Sequence, residues 1–122
     1  MRNLCMGCDI VSIPRFRKIL VRTPAIRRRI FLPEEEKGAS MERLAGIFAA
    51  KEAVIKAFGI PAGRWHEIEV SYHKNGKPQI KLLGRSASKL KGILGSGASK
   101  CRGEVSIAHD GDYAMAFVVF YG

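Results

Sequence analysis

Two hydrophobic periodicities divide the chain, a helical one in the first half and a strand-like one in the second. Apolar side chains at helical spacing predict a long helix from Met41 to Phe58, which Gly59 ends. The stretch HEIEVSYH (residues 66–73) instead alternates between apolar and polar side chains, which predicts a half-buried strand. We therefore expect mainly helices before residue 60 and mainly strands after it.

Local signals predict the remaining elements and the fold class. In chain order they are a strand at Arg2–Cys8, a helix at Pro14–Val21 with Ser12 as its N-cap, a short basic helix at 25–31, a loop with an acidic patch at 32–40, a strand at 78–84, a helix at 85–94, a loop at 95–103, and strands at 104–109 and 113–120. Tight turns, among them the pair Asn75–Gly76, join consecutive strands, so the pairing should be antiparallel. This order predicts an α+β fold in which an antiparallel sheet packs on the long central helix.

Length and composition fit a single domain at 1–122. Hydrophobic residues make up 47% and charged residues 26%, a balance typical of globular rather than disordered chains. No apolar run reaches the length of about 20 residues that spans a bilayer. The N-terminal stretch is too short and too polar for a secretory signal peptide, so we expect a cytoplasmic protein without a membrane span.

The formal net charge of +10 predicts an acidic partner. A nucleic-acid-binding protein is one alternative, and the run Arg27–Arg29 fits it. The sequence has no helix-turn-helix or RNP signature, however, and its aromatic content of 8% offers few rings for base stacking. A nucleic-acid-binding function would also leave two acidic residues discussed below, Asp9 and Glu52, without a role, so we expect no nucleic-acid partner.

The three cysteines, Cys5, Cys8 and Cys101, do not indicate a disulfide framework, because their number is odd and small. Cys5 and Cys8 form a C-x-x-C within a predicted strand, where positions three apart face opposite ways. We therefore expect small buried side chains here rather than a zinc or redox site.

Charged residues interrupt the long apolar helix within FAAKEAVIKAFG (residues 48–59), at Lys51, Glu52 and Lys56. Glu52 and Lys56 are four residues apart and share one face of the helix. A solvent-exposed pair would belong to a continuous polar stripe, but the neighbours on this face are apolar. Charges in apolar surroundings are costly unless they are paired or bind a ligand, so the sequence leaves a surface pair and a functional site both open.

Asp9 follows the first predicted strand and could meet Glu52 across a cleft. Two carboxylates beside a lysine suit Mg²⁺, which takes oxygen ligands and often shares them with a phosphate, while the lysine neutralises another phosphate oxygen. His109 stands at a strand end beside a turn, a place where a lone histidine is more often structural than functional. The glycine-rich segments do not match the phosphate-binding loop pattern.

Four motifs in order, GCDIV with Arg15 after it, LAGIFAAKEAVIKAFG, NGKP, and VSIAHDGDYAMAFVV, carry a family resemblance that spans the whole chain. The sequence resembles the holo-[acyl-carrier-protein] synthases, the small bacterial type of 4′-phosphopantetheinyl transferase. The resemblance implies a Mg²⁺-dependent transfer of 4′-phosphopantetheine from coenzyme A to a serine of apo acyl carrier protein. Adenosine 3′,5′-bisphosphate is the other product, and the reaction serves fatty acid biosynthesis.

The resemblance also implies roles for individual residues and an assembly. By position it makes Asp9 and Glu52 the metal ligands, Glu52 and Lys56 the catalytic residues, Lys56, Gly59, Asn75, Gly76, Pro78 and His109 the coenzyme A contacts, and Arg15, Lys18, Arg22 and Arg28 the carrier-protein contacts. It further implies a homotrimer with sites between subunits. Ile47 stands where the family often has Arg, and this departure is the only support for the alternative of a homologue that has lost activity.

Overall fold

The computed structural model describes residues 4–95 and 102–122. In chain order, the elements are β1 (Leu4–Ser12), α1 (Ile13–Arg22), α2 (Pro24–Ile30), α3 (Pro33–Glu36), α4 (Met41–Phe58), a 3-10 turn (Trp65–Glu67), β2 (Ile68–Tyr72), β3 (Pro78–Leu82), α5 (Gly84–Leu94), β4 (Arg102–Asp110) and β5 (Tyr113–Tyr121). No helix in these two ranges is long and apolar enough to cross a membrane.

The strands form two antiparallel sheets, whereas the sequence had predicted one. A three-stranded sheet has the order β1-β5-β4, and β2 and β3 form a separate hairpin. The inward side chains of the central strand β5 are fully buried, and they are Ala114, Ala116, Val118 and Phe120. They share the hydrophobic core with α4, so the predicted α+β class with a long central helix is confirmed.

The long helix α4 has the bounds that its hydrophobic pattern predicts, and capping explains both ends. The Ser40 hydroxyl accepts a hydrogen bond from the Arg43 backbone N–H, 3.2 Å away, and fixes the N-terminus. Gly59 ends the helix in the left-handed region at φ 63°, which a residue without Cβ adopts at no steric cost. The two caps therefore fix where α4 begins and where it ends.

The first strand is longer than its apolar run predicts. β1 continues to Ser12, and Asp9 lies inside it, paired with Ala116 of β5, rather than after its end. The predicted N-cap is confirmed, since the Ser12 hydroxyl accepts a hydrogen bond from the Arg15 N–H. Sequence pattern misplaced the strand end because Asp9 occupies an inward position of β1 that is half-buried and tolerates a carboxylate.

The predicted loop at 32–40 contains a short helix, α3, and its acidic residues are not all on the surface. Glu35 is 6% exposed. Its carboxylate accepts backbone N–H bonds from Leu32 (2.7 Å) and Val70 (2.8 Å), which join α3 to β2. The predicted loop at 95–103 lies mostly outside the described residues, as does Cys101, while Arg102 and Gly103 belong to β4.

Lys51, the first of the three charges in α4, is completely buried. Its ammonium donates hydrogen bonds to the Glu35 carboxylate (2.6 Å), the Ile30 carbonyl (2.7 Å) and the Trp65 carbonyl (3.1 Å). Burial lowers the pKa of Lys51, and the negative charge of Glu35 opposes that effect. Lys51 therefore has a structural role, since it ties the segments before and after α4 to the centre of the helix.

The helix α4 and strand β1 approach each other at Gly7. A Cβ atom at this position would lie 2.0 Å from the backbone carbonyl oxygen of Ala53, far inside van der Waals contact. Ala49, Ala50 and Ala53 on the facing side of α4 have no exposed surface. This close contact sets the distance between β1 and α4, and with it the distance between Asp9 and Glu52.

We expect Gly7→Ala to lower the free energy of unfolding by about 2–3 kcal/mol, because backbone must move to admit the methyl group. Urea unfolding at a fixed protein concentration measures the change. Gly92→Ala is the matched control: it lies in α5 with nothing within 4 Å of the added Cβ, and should be neutral or stabilise by up to about 1 kcal/mol. Equal unfolding midpoints for the two variants would refute the close contact.

Candidate active site

A surface cleft of about 300 Å³ lies between β1, α1 and α4. Asp9 of β1 and Glu52 of α4 face it, and so does Arg15 from the first turn of α1. Phe48, one helical turn before Glu52, forms an apolar wall and stacks on Phe16 with ring centroids 4.9 Å apart. The fold thus brings together the two carboxylates that the sequence singled out, on separate elements and beside a rigid aromatic wall.

Lys56 completes the charged cluster. Its ammonium lies 2.7 Å from the Asp9 Oδ1 and donates a hydrogen bond to it. The Asp9 side chain is 15% exposed and the Lys56 side chain 57% exposed, so the carboxylate is held in the cleft while the lysine reaches in from solvent. The hydrogen bond to Asp9 raises the pKa of Lys56, which therefore stays charged.

The surroundings of Glu52 shift its pKa in opposing directions. Partial burial raises its pKa, and the nearby negative charge of Asp9 raises it further. Lys56 and the indole of Trp65 lower it in part. The cleft thus places two carboxylates near each other, and an added cation would relieve the repulsion that raises the pKa of Glu52.

The donor set fits Mg²⁺. Two carboxylates from different elements supply hard oxygen ligands, and Mg²⁺ characteristically takes one or two such ligands plus waters and phosphate oxygens. Within 4–95 and 102–122, no group of three or more His, Cys, Asp or Glu residues forms an all-protein cage. The remaining positions around a cation at Asp9 and Glu52 would therefore be filled by water or by oxygens of a substrate.

The other predicted coenzyme A residues do not line this cleft in the single chain. His109, on β4, packs against Gly46 and donates a hydrogen bond from Nε2 to the Glu42 carbonyl, 2.8 Å away. Asn75 and Gly76 lie in the β2–β3 turn, where the Asn75 carboxamide accepts a hydrogen bond from the Lys77 N–H. Pro78 begins β3, and Gly59 ends α4.

The predicted carrier-protein contacts form an exposed face. Arg15, Lys18 and Arg22 lie three to seven residues apart on one side of α1, with the half-exposed Ile19 between them. Arg28 is exposed on α2. The apolar residues that alternate with these cations in the sequence, Phe16 and Leu20, are buried in the core and contribute nothing to the face.

Sequence reasoning missed Arg43. Its guanidinium lies 4.1 Å above the Tyr72 ring centroid, beside a cavity of about 710 Å³ that Lys37 and Ile47 also line. Ile47 itself is 1% exposed. A usable signal was present, because Arg43 precedes Ile47 by four residues and so projects on the same face of α4.

The two cysteines of the C-x-x-C motif do not share a site. Cys5 is half-buried on the inner face of β1 and Cys8 is exposed on the outer face, as expected for positions three apart in a strand. The expectation that both side chains are buried is wrong for Cys8, because the outer face of this sheet is uncovered in the single chain.

Comparison with known proteins identifies relatives along nearly the whole chain. The family model of the 4′-phosphopantetheinyl transferase superfamily matches residues 5–118. A holo-[acyl-carrier-protein] synthase of Frankia alni is 40% identical over 115 residues, which cover 93% of this chain and 93% of that protein. The same enzyme of Micrococcus luteus is 39% identical over 117 residues, covering 93% of this chain and 88% of the relative.

Solved structures that resemble this chain come from the same family as these relatives. An apo-ACPS structure of Chronobacterium ammoniagenes superposes with a TM-score of 0.86 at 34% identity and covers 99% of this chain and 98% of its own. The ACPS–CoA complex of the same organism gives a TM-score of 0.83 at 34% identity, with coverage of 97% and 96%. The similarity thus extends over the fold and the sequence together.

Proposed function

The chain belongs to the 4′-phosphopantetheinyl transferase superfamily, and we propose on that basis that it transfers 4′-phosphopantetheine from coenzyme A to a serine of apo acyl carrier protein. The observation that carries the proposal is the cleft that Asp9 and Glu52 line, with Lys56 hydrogen-bonded to Asp9. Adenosine 3′,5′-bisphosphate leaves. We further propose that the enzyme depends on Mg²⁺ and serves fatty acid biosynthesis in the cytoplasm.

The residues of the cleft supply the charges that this reaction needs. The serine oxygen attacks the β-phosphorus of coenzyme A, and the bond to the bridging oxygen breaks as the bisphosphate takes the electron pair. Lys56 offsets negative charge that gathers on the phosphate oxygens. Glu52, directly or through a water, accepts the proton of the serine hydroxyl. A cation held by Asp9 and Glu52 would supply further positive charge beside the pyrophosphate.

Release of adenosine 3′,5′-bisphosphate tests this function. The chain is incubated with coenzyme A and Mg²⁺, with or without apo acyl carrier protein, and the nucleotide products are separated by chromatography. We expect release only when the carrier is present, and we expect chelation of the metal to stop it. Carrier-independent release would indicate a coenzyme A hydrolase instead.

Arg43 offers a replacement for the basic contact that Ile47 cannot make. Arg43 and Lys37 place positive charge on a cavity that the buried Ile47 and the Tyr72 ring also line, as do the carboxylates of Glu34, Glu35 and Glu69. A guanidinium fork suits a phosphate, and an aromatic ring suits a purine. We propose that the Arg43 guanidinium contacts a phosphate of coenzyme A at the edge of this cavity, in place of the arginine that the family often has at the position of Ile47. A KM for coenzyme A that Arg43→Met leaves unchanged would contradict this.

The exposed basic face of α1 (Arg15, Lys18 and Arg22) is proposed to dock the acidic carrier, together with Arg28 of α2. We expect Arg15→Glu to lower kcat/KM for the carrier by about 10- to 100-fold, because a negative charge at the cleft mouth repels it. The KM for coenzyme A should change little. Steady-state kinetics with each substrate varied in turn measures both effects.

Lys91→Glu is the matched control for Arg15→Glu, since it makes the same charge change on the exposed side of α5. Salt supplies a second test: raising ionic strength to 0.15 M shortens the Debye length to about 8 Å and weakens steering. The KM for the carrier should therefore rise more steeply with salt than the KM for coenzyme A. Equal salt slopes, together with equal effects of the two substitutions, would show that the basic face is ordinary surface.

A homotrimer is proposed because one chain leaves both a surface and a site incomplete. The outer face of the β1-β5-β4 sheet exposes large apolar side chains, namely Leu4, Met6, Ile10, Tyr113, Met115 and Phe117. The strand register places Ile10 beside Met115, so the side chains form one continuous patch. Patches of this kind usually mark protein contacts. His109 and the Asn75–Pro78 turn lie away from the cleft of their own chain and are available to a neighbouring one.

We expect Met115→Glu, at the centre of this patch, to convert a trimer into monomers and to abolish measurable transfer. Light scattering gives the mass, and specific activity of the wild type should fall on dilution because subunits separate. Val21→Glu, also an exposed apolar residue but on α1, is the control for assembly and should remain trimeric. A fully active monomeric wild type would refute the proposal.

A further inference from the structure

The indole N–H of Trp65 is a buried polar atom beside the cleft that the proposed reaction does not use. It is shielded from solvent, and within the described ranges it makes no hydrogen bond of ordinary geometry. An unpaired buried donor costs on the order of 1–3 kcal/mol. A retained donor of this kind therefore calls for an explanation.

The position of Trp65 is fixed from two sides. The Lys51 ammonium donates a hydrogen bond to the Trp65 carbonyl, which ties this backbone to the residue next to Glu52. The Trp65 ring contacts Phe48, with centroids 6.0 Å apart and ring planes inclined at 53°. Since Phe48 and Glu52 are four residues apart and line the same cleft, the indole lies along the wall that carries Glu52.

Glu52 is the charged acceptor that α4 places on this wall, one helical turn after Phe48, whose ring the indole contacts. The indole N–H lowers the pKa of Glu52 in part, against the larger raising effects of burial and of Asp9. The donor is thus near the carboxylate, but within the described residues no complete hydrogen bond joins them. A reorientation of the carboxylate that brings an oxygen to the N–H would pair both groups.

We propose that the indole N–H of Trp65 is a positioning donor that orients the Glu52 carboxylate toward Asp9. The role of Glu52 rests on the proposed function, whereas the contact itself belongs to the chain whatever it catalyses. Outer partners of metal-binding carboxylates typically change metal affinity or activity by about 10- to 100-fold. Trp65→Phe keeps an aromatic ring against Phe48 and removes only the donor and part of the ring.

The single tryptophan of the chain permits an atomic test, because replacing tryptophan throughout changes only this position. Protein containing 5-fluorotryptophan retains the N–H, whereas protein containing benzothienylalanine has a sulfur in its place at nearly the same shape. Mn²⁺ alone is titrated and followed by electron paramagnetic resonance. We expect the fluorinated protein to bind Mn²⁺ as tightly as the wild type, and the benzothienyl protein and Trp65→Phe to bind about 10-fold more weakly.

Two further measurements separate orientation from packing. The kcat of Trp65→Phe should fall about 10-fold or more while the KM for coenzyme A stays unchanged. In spectra of ¹⁵N-labelled protein with saturating Mg²⁺, Glu52→Ala should shift the single indole resonance upfield and speed its hydrogen exchange. Equal Mn²⁺ affinity in the benzothienyl protein, or an indole resonance indifferent to Glu52→Ala, would overturn the proposal. A wild type that shows these contrasts but transfers no phosphopantetheine would overturn the proposed function alone.

Discussion

Glu52→Gln should lower kcat for phosphopantetheine transfer by about 1,000-fold or more while the protein stays folded, because the change removes a metal ligand and a proton acceptor together. Folding should survive because the glutamine has nearly the same shape, and loss of a raised-pKa carboxylate relieves its repulsion with Asp9. Initial rates at saturating coenzyme A and carrier measure the change in kcat. Circular dichroism and urea unfolding check that the variant is intact.

Two comparisons sharpen this prediction. Glu36→Gln makes the same substitution on α3, where the side chain pairs with Arg27 away from the cleft residues, and should leave the rate unchanged. Asp9→Asn should also inactivate, with partial recovery at high Mg²⁺, because one carboxylate ligand remains. A Glu52→Gln enzyme with near-normal turnover would show that the cleft has been assigned to the wrong residues.

Lys51→Met should destabilise the fold by about 3–5 kcal/mol, the usual cost of removing one partner of a buried ion pair. It leaves the Glu35 carboxylate buried without its countercharge and deprives the Ile30 and Trp65 carbonyls of their donor. Equilibrium unfolding in urea at constant protein concentration measures the loss. A small change would mean that water reaches this site and replaces the ammonium.

The double variant Lys51→Met with Glu35→Gln completes the cycle. Because no unpaired charge remains, the double variant should lose less free energy of unfolding than the two single variants lose together. Lys91→Met, the same substitution at an exposed position of α5, should stay within about 0.5 kcal/mol of the wild type. Additive losses at Lys51 and Glu35 would show that the two residues act independently.

Sequence pattern predicted the parts of the fold that local chemistry determines. The bounds of α4 follow from a long apolar run between Ser40 and Gly59, both of which act as caps. The two carboxylates of the cleft were identifiable because Glu52 interrupts an apolar face and Asp9 ends an apolar run. Neither inference needed knowledge of how distant segments pack.

The features that the sequence did not reveal depend on long-range contacts. Glu35 is buried because the Lys51 ammonium, 16 residues later, pairs with it. The local pattern shows only a run of acidic residues and therefore predicted an exposed loop. Spacing along the helix does not show that the Lys51 side chain is fully buried and the Lys56 side chain mostly exposed. The place of Trp65 beside Glu52 follows from how the chain returns after Gly59, which no local pattern encodes.

The intact mass of the carrier protein tests the central claim most directly. Apo acyl carrier protein is incubated with coenzyme A, Mg²⁺ and either the wild-type chain or the Glu52→Gln variant, and is then weighed by mass spectrometry. The account predicts that the wild type adds the mass of one 4′-phosphopantetheine group to the serine of every carrier and that the variant adds none in the same time. A carrier whose mass the wild-type chain leaves unchanged, or one that both proteins modify equally fast, would contradict it.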